Sequence, residues 1–136
     1  SGAGKSPLNG LAVATTNLEF NWQGNTVPSL RIDGDDRLYQ VGSHSGITVK
    51  LTYQDLSSDY EIRVEIHRKW PDGTYKETGS FVTYRVSDIS GDGSGTLDVT
   101  RNLSTTPGSY MVYVLVRDKN GATVLTVPYY FIIEAD

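Results

Sequence analysis

The sequence predicts an all-β fold, an antiparallel sandwich of about seven to nine strands. Three observations carry that expectation. Strict alternation of apolar and polar residues dominates from residue 47 onward, the period-two pattern of strands buried on one face. Turn formers such as Pro71-Asp72-Gly73 and Asn120-Gly121 separate the alternating runs, where proline presets the bend and glycine accepts a positive φ. No amphipathic run of helical period exceeds about two turns.

Each element follows in chain order. Ser1-Gly2-Ala3-Gly4 looks like a cloning remnant, so residues 1–7 read as remnant or linker and residues 8–136 as a single domain. Leu11–Thr15, Leu18–Trp22, Val27–Ile32 and Leu38–Val41 are short candidate strands, the earliest of them forming an N-terminal extension. Ile47, Val49, Leu51 and Tyr53 share one parity of a strand. Between Tyr60 and Trp70 the even positions are apolar apart from Arg68, and Glu61, Arg63, Glu65, His67 and Lys69 form a charged row. On parity, Tyr60, Trp70, Tyr84 and Tyr110 point inward, while Phe81, Tyr113 and one of Tyr129 or Tyr130 point outward. Ser109–Arg117 is apolar on both parities through Met111, Tyr113 and Leu115, which predicts a central strand or one covered on its outer side. Pro128 cannot donate to a ladder and belongs at an edge or a bulge.

Composition narrows the function classes. A chain of 136 residues with a formal charge of -4 lacks the concentrated basic surface that nucleic acid requires. No apolar stretch approaches the roughly 18 residues of a membrane span, and none reads as a signal peptide. With no cysteine there is neither a disulfide framework nor a thiolate metal site.

The segment Leu103-Ser-Thr-Thr-Pro107-Gly108-Ser109-Tyr110-Met-Val112-Tyr-Val114 resembles the corner between the E and F strands of fibronectin type III and bacterial immunoglobulin-like domains. Arg117-Asp118-Lys119-Asn120-Gly121 resembles the following hairpin in bacterial surface modules. The resemblance covers residues 45–134, and Val49 and Leu51 stand where fibronectin type III domains usually carry a tryptophan. It implies an immunoglobulin-like sandwich in which Tyr110 is structural, its hydroxyl bonding back to nearby backbone. It also implies an extracellular or cell-surface setting, a monomeric isolated domain, and a role as spacer, adhesive or accessory module.

Candidate chemistry is sparse. Asp88-Ile-Ser90-Gly-Asp92-Gly-Ser94-Gly95 opens like an EF-hand calcium loop, but Val99 stands where the bidentate glutamate belongs. Asp88 and Asp92 remain the weak calcium candidates, and no other cofactor is expected. The carboxylates of Asp33, Asp35 and Asp36 are flanked by Arg31 and Arg37 and read as a solvated turn. His44, between serines, lacks a strained nucleophile turn, and His67 reads as solvent-facing. Sugar rings stack on exposed planar side chains, which makes Trp22, Tyr39, Tyr75 and Tyr113 the ligand-binding candidates. The leading expectation is a non-catalytic immunoglobulin-like module, a spacer or a binding domain for protein. The alternative is a carbohydrate-binding module accessory to a glycan-processing enzyme.

Overall fold

The computed structural model describes residues 27–136; the candidate strands Leu11–Thr15 and Leu18–Trp22, the extension they would form, and Trp22 lie outside the described residues. Eight strands and one short helix follow in order: β1 (Ser29–Gly34), β2 (Leu38–Gln40), β3 (Gly46–Gln54), β4 (Glu61–Lys69), β5 (Tyr75–Arg85), α1 (Val86–Ile89), β6 (Gly95–Asn102), β7 (Gly108–Arg117) and β8 (Thr123–Glu134). They form an all-β sandwich, one sheet ordered β1-β3-β6 and the other β2-β8-β7-β4-β5.

The core lies between the sheets and is made by the predicted inward rows. Ile47, Val49, Leu51 and Tyr53 of β3 face Ile62, Val64 and Ile66 of β4 and the even-numbered residues of β7. Each fully buried aliphatic side chain stabilises the fold by roughly 1.5–3 kcal/mol relative to exposure. Tyr110 packs its ring on Phe131, with centroids 5.5 Å apart. Its hydroxyl donates to the Thr106 carbonyl at 2.7 Å, the local bond expected of it.

Both hairpins form where the turn residues stand. Gly73 N–H donates to the Trp70 carbonyl at 2.8 Å, with Gly73 at φ 90°. Asp118 exchanges bonds with Gly121 and Ala122. β7 is central, between β8 and β4, which accounts for its apolar residues on both parities. Pro128 lies opposite Tyr113, at a level that the three-residue β2 does not reach; β8 is an edge there, and the missing N–H costs no ladder bond.

Three expectations need correction. The sandwich is not wholly antiparallel, because β2 runs parallel to β8. After β1 the chain crosses from one sheet to the other through Asp35–Arg37 and keeps its direction; Tyr129 pins the crossing by donating to the Asp36 carbonyl at 2.7 Å, and Tyr39 by donating to the Asp35 carboxylate at 2.6 Å. Gly34 must be glycine here, since a Cβ would lie 2.1 Å from the Tyr129 hydroxyl. The connection after β5 is not loop alone, for Val86–Ile89 makes one helical turn. Trp70 is 51% exposed despite its inward parity: it lies past the end of β4, at a hairpin tip that no strand of the smaller sheet covers among the described residues.

Candidate functional site

In both acidic loops the chain itself engages carboxylates, those of Asp92 in one and of Asp33, Asp35 and Asp36 in the other. Asp92 Oδ1 accepts from Ser94 N at 3.1 Å and from Ser90 Oγ at 3.1 Å. Gly93, at φ 82°, accepts from Leu56 N at 3.0 Å, so the loop is clamped to the β3–β4 connection. Asp88 sits in the first turn of α1. In the other loop, Asp35 accepts from the Tyr39 hydroxyl at 2.6 Å, and Asp36 caps the N–H groups of Arg37 and Leu38. Among the described residues no group of three His, Asp or Glu gathers in metal-binding geometry.

The aromatic candidates lie in different surroundings. Tyr39 is 0% exposed, edge-on to Phe131 at 5.8 Å. Burial, and then its bond to Asp35, push its hydroxyl pKa upward. Tyr39 is therefore a structural residue rather than a ligand contact, because β2 carries it inward at the crossing. Tyr113 and Tyr75 are half-buried on the outer face of the five-stranded sheet, where Tyr130 proves to be the outward member of its pair, with Tyr129 buried.

That face is the most distinctive surface of the molecule. Leu38 of β2 lies beside Ile132 of β8. Two residues along, Tyr130 lies opposite Met111 of β7, which in turn lies opposite His67 of β4. The Tyr130 ring meets that of Tyr75, from the far strand β5, with centroids 5.5 Å apart. To touch, the two rings reach inward across β7 and β4, and Met111 is buried although its parity is outward. Leu38, Ile132 and Tyr130 stay 46–49% exposed. They make a continuous apolar band.

Beside the band runs an ion-pair network that the charged row of β4 supplies. Residues two apart on a strand share a face, so Arg63, Glu65 and His67 stand side by side. Glu65 is only 5% exposed; it accepts from Arg63 Nε, and from His67 Nε2 at 2.8 Å. Arg63 also reaches Glu77 of β5 at 3.2 Å and lies 3.7 Å above the Phe81 ring. The His67 ring packs against Tyr113 at 5.0 Å, so His67 is not solvent-facing. Its outward parity is right, but neighbouring rings cover it. Burial opposes ionisation of Glu65, yet the bonds from His67 and Arg63 outweigh it and hold its pKa below the ordinary value. Paired on every side, the carboxylate is held as an anion.

At the β4–β5 hairpin end of this sheet, Arg68, Lys69, Trp70, Pro71 and Ser109 line an open groove of about 590 Å³. The Lys76 ammonium lies 5.0 Å from the Trp70 ring. His44, the other histidine, is exposed, with its ring edge-on to Tyr39 at 5.0 Å.

No protein-family model matches the chain, and no curated protein matches it. Among solved structures it is similar to a mutant beta-glucosidase from Listeria innocua in complex with laminaribiose, at 11% identity and a TM-score of 0.45, over 82% of this chain and 17% of that one. The same enzyme in complex with isofagomine gives 12% identity and a TM-score of 0.45, over 83% and 17%. The chain thus spans about a sixth of the length of the structures it resembles.

Proposed function

We propose that the chain is a non-catalytic, immunoglobulin-like module of a bacterial cell-surface or secreted protein, and that it binds another protein through the outer face of its five-stranded sheet. The apolar band of Leu38, Ile132, Tyr130 and Tyr75 carries this reading. An antiparallel sheet that faces only water keeps its outer row polar, and a contiguous apolar patch rimmed by polar residues is the ordinary signature of an interaction surface. Aromatic residues, methionine and arginine are the types enriched in interfaces. The bonded Arg63–Glu65–His67 row supports the same reading, because side chains already ordered lose little freedom when a partner arrives.

The test places a photo-crosslinking residue at Ile132 in the parent protein on intact cells. A discrete protein adduct is expected at Ile132 and not at Thr96, on the opposite face. Equal labelling at both positions, or none at Ile132, sinks the proposal.

One observation favours a second reading, a carbohydrate-binding module accessory to a glycan-processing enzyme. Tyr75 and Tyr130 meet on the same face, and Trp70 is exposed at the neighbouring hairpin tip, in a groove with Lys69 and Ser109 as hydrogen-bonding groups. Rings exposed in this way stack on sugars. Affinity electrophoresis against a panel of soluble β-glucans and xylans discriminates the two. Retardation that is lost in Tyr130→Ala and Trp70→Ala supports the glycan reading, and migration unchanged by every polysaccharide removes it.

A further inference from the structure

Among the described residues the sandwich has four strand edges, and one of them, although charged at its two ends by Lys76, Glu77 and Arg85, keeps an unprotected middle. An exposed edge offers unpaired N–H and C=O groups to any other strand, and proteins blunt such edges with charges, proline or very short strands. β1 carries Arg31 and Asp33, β6 carries Asp98 and Arg101, and the β2/β8 edge combines a three-residue strand with Pro128. β5 is outermost in its sheet and eleven residues long, and Thr78–Tyr84 holds neither charge nor proline. Its early part is interrupted by Gly79 at φ 96°, where the register against β4 shifts. Phe81–Arg85 continues as regular strand.

The direction of the backbone groups follows from the ladder. Val86 N–H donates to the Tyr60 carbonyl at 2.9 Å, and the pairs Ile62 with Tyr84 and Val64 with Val82 continue that register in steps of two. Hydrogen-bonded pairs recur at every second residue of an antiparallel ladder, so Val82 and Tyr84 turn their backbone groups to β4. Phe81, Thr83 and Arg85 turn theirs outward, where no strand pairs with them among the described residues.

We infer that this edge joins the same edge of a second copy, β5 pairing antiparallel with β5 about a two-fold axis at Thr83. This rests on the edge alone and not on the function proposed above. Centred there, all three outward-turned residues find partners: Thr83 meets Thr83, and Phe81 meets Arg85 in both directions. The side chains agree with the backbone, since threonine pairs and an arginine beside an aromatic ring are favourable cross-strand neighbours. A contact of this kind is isologous and closes at two copies. It joins the two five-stranded sheets into one and sets both apolar bands on the same side.

The absence of cysteine makes the test clean. In a hydrogen-bonded pair the facing Cα atoms lie about 5.5 Å apart, within the span of a disulfide. Mild oxidation of Thr83→Cys is expected to give a covalent species of twice the 14.9 kDa chain, whereas Thr96→Cys, on the other sheet, stays monomeric. Sedimentation of the unmodified chain is expected to show a mass rising toward the dimer with concentration. Thr83→Pro, which removes only an outward N–H, abolishes that rise while the melting temperature holds. The inference is overturned if the unmodified chain stays monomeric up to its solubility limit, or if Thr83→Cys and Thr96→Cys crosslink alike. It is also overturned if association survives Thr83→Pro and is lost in Tyr130→Asp, which moves the contact to the sheet face.

Discussion

On the outer face of the three-stranded sheet, Lys50 stands opposite Asp98, Thr52 opposite Thr96 and Thr48 opposite Thr100, the last pair joined at 2.9 Å. Arg31 and Asp33 complete it with an exposed ion pair. On the outer face of the five-stranded sheet the outward row of the central strand is Met111, Tyr113 and Leu115, and the charges at its middle, Arg63 and Glu65, are covered, while Lys69, Glu77, Arg85 and Glu134 at its margins stay exposed. Both surfaces arise from the same alternation of side chains. The difference teaches that outward parity does not mean solvent: in a wide sheet a middle strand has neighbours on both sides, and long side chains from them can close over it. The narrow sheet has one middle strand, β3, whose outward threonines and lysine are too short or too polar to build such a cover.

The most damaging change on the aromatic face is predicted at Glu65. Glu65→Ala leaves Arg63 and His67 without their carboxylate under a lid of rings and should cost about 2–4 kcal/mol. Asp98→Ala, its counterpart on the polar face, should stay within about 0.5 kcal/mol. Urea denaturation of the two variants checks both values, and equal losses would erase the contrast between the faces.

Acid should expose the same asymmetry more gently. Because the folded pKa of Glu65 lies below its ordinary value of 4.5, its stabilisation is complete above about pH 5 and fades as the pH falls through the folded value. The stability gap between the natural chain and Glu65→Gln is therefore expected to be widest near neutrality and to close in acid. A gap independent of pH between 7 and 3, measured by thermal melts, would show that charge is not its source.

Tyr130→Ser and Ile132→Ser test whether the exposed band contributes to binding or to folding. Each should change stability by no more than about 1 kcal/mol, since both side chains are already half in water. A larger loss in equilibrium unfolding would assign the band to the domain's own structure. The smallest effect is expected in the core beneath the polar face. The Tyr53 hydroxyl is buried with no hydrogen-bond partner among the described residues, so Tyr53→Phe should be neutral or stabilising by up to about 1 kcal/mol. A clear destabilisation in calorimetry would mean that the hydroxyl is satisfied after all.

Much of the fold was legible because its cues are local. The inward rows of β3 and β4, the turns at Gly73 and Gly121 and the central place of β7 each follow from a few adjacent residues, and the structural role of Tyr110 was implied by the resemblance that the segment around it carries. The candidate site was legible only in fragments. Phe81 and Tyr113 could be assigned to outward rows, and Glu65 and His67 could be seen to share a face, yet the covering of Glu65 depends on Phe81, Tyr113 and Arg63, which come from three strands. Tyr39 failed as a ligand candidate for the same kind of reason. Its depth is set by the crossing of β1 into β2, which no pattern within Leu38–Gln40 announces.

By itself, then, the sequence determined the period-two strands, the points at which they reverse and the residues that make the core, because parity and turn chemistry act between neighbours in the chain. Tertiary structure alone decided that β2 runs parallel to β8, that Trp70 overhangs the smaller sheet, and that one outer face is wet while the other is roofed with rings. Those outcomes depend on which strands lie side by side and how far each sheet extends, and contacts between distant segments, not neighbouring residues, set both.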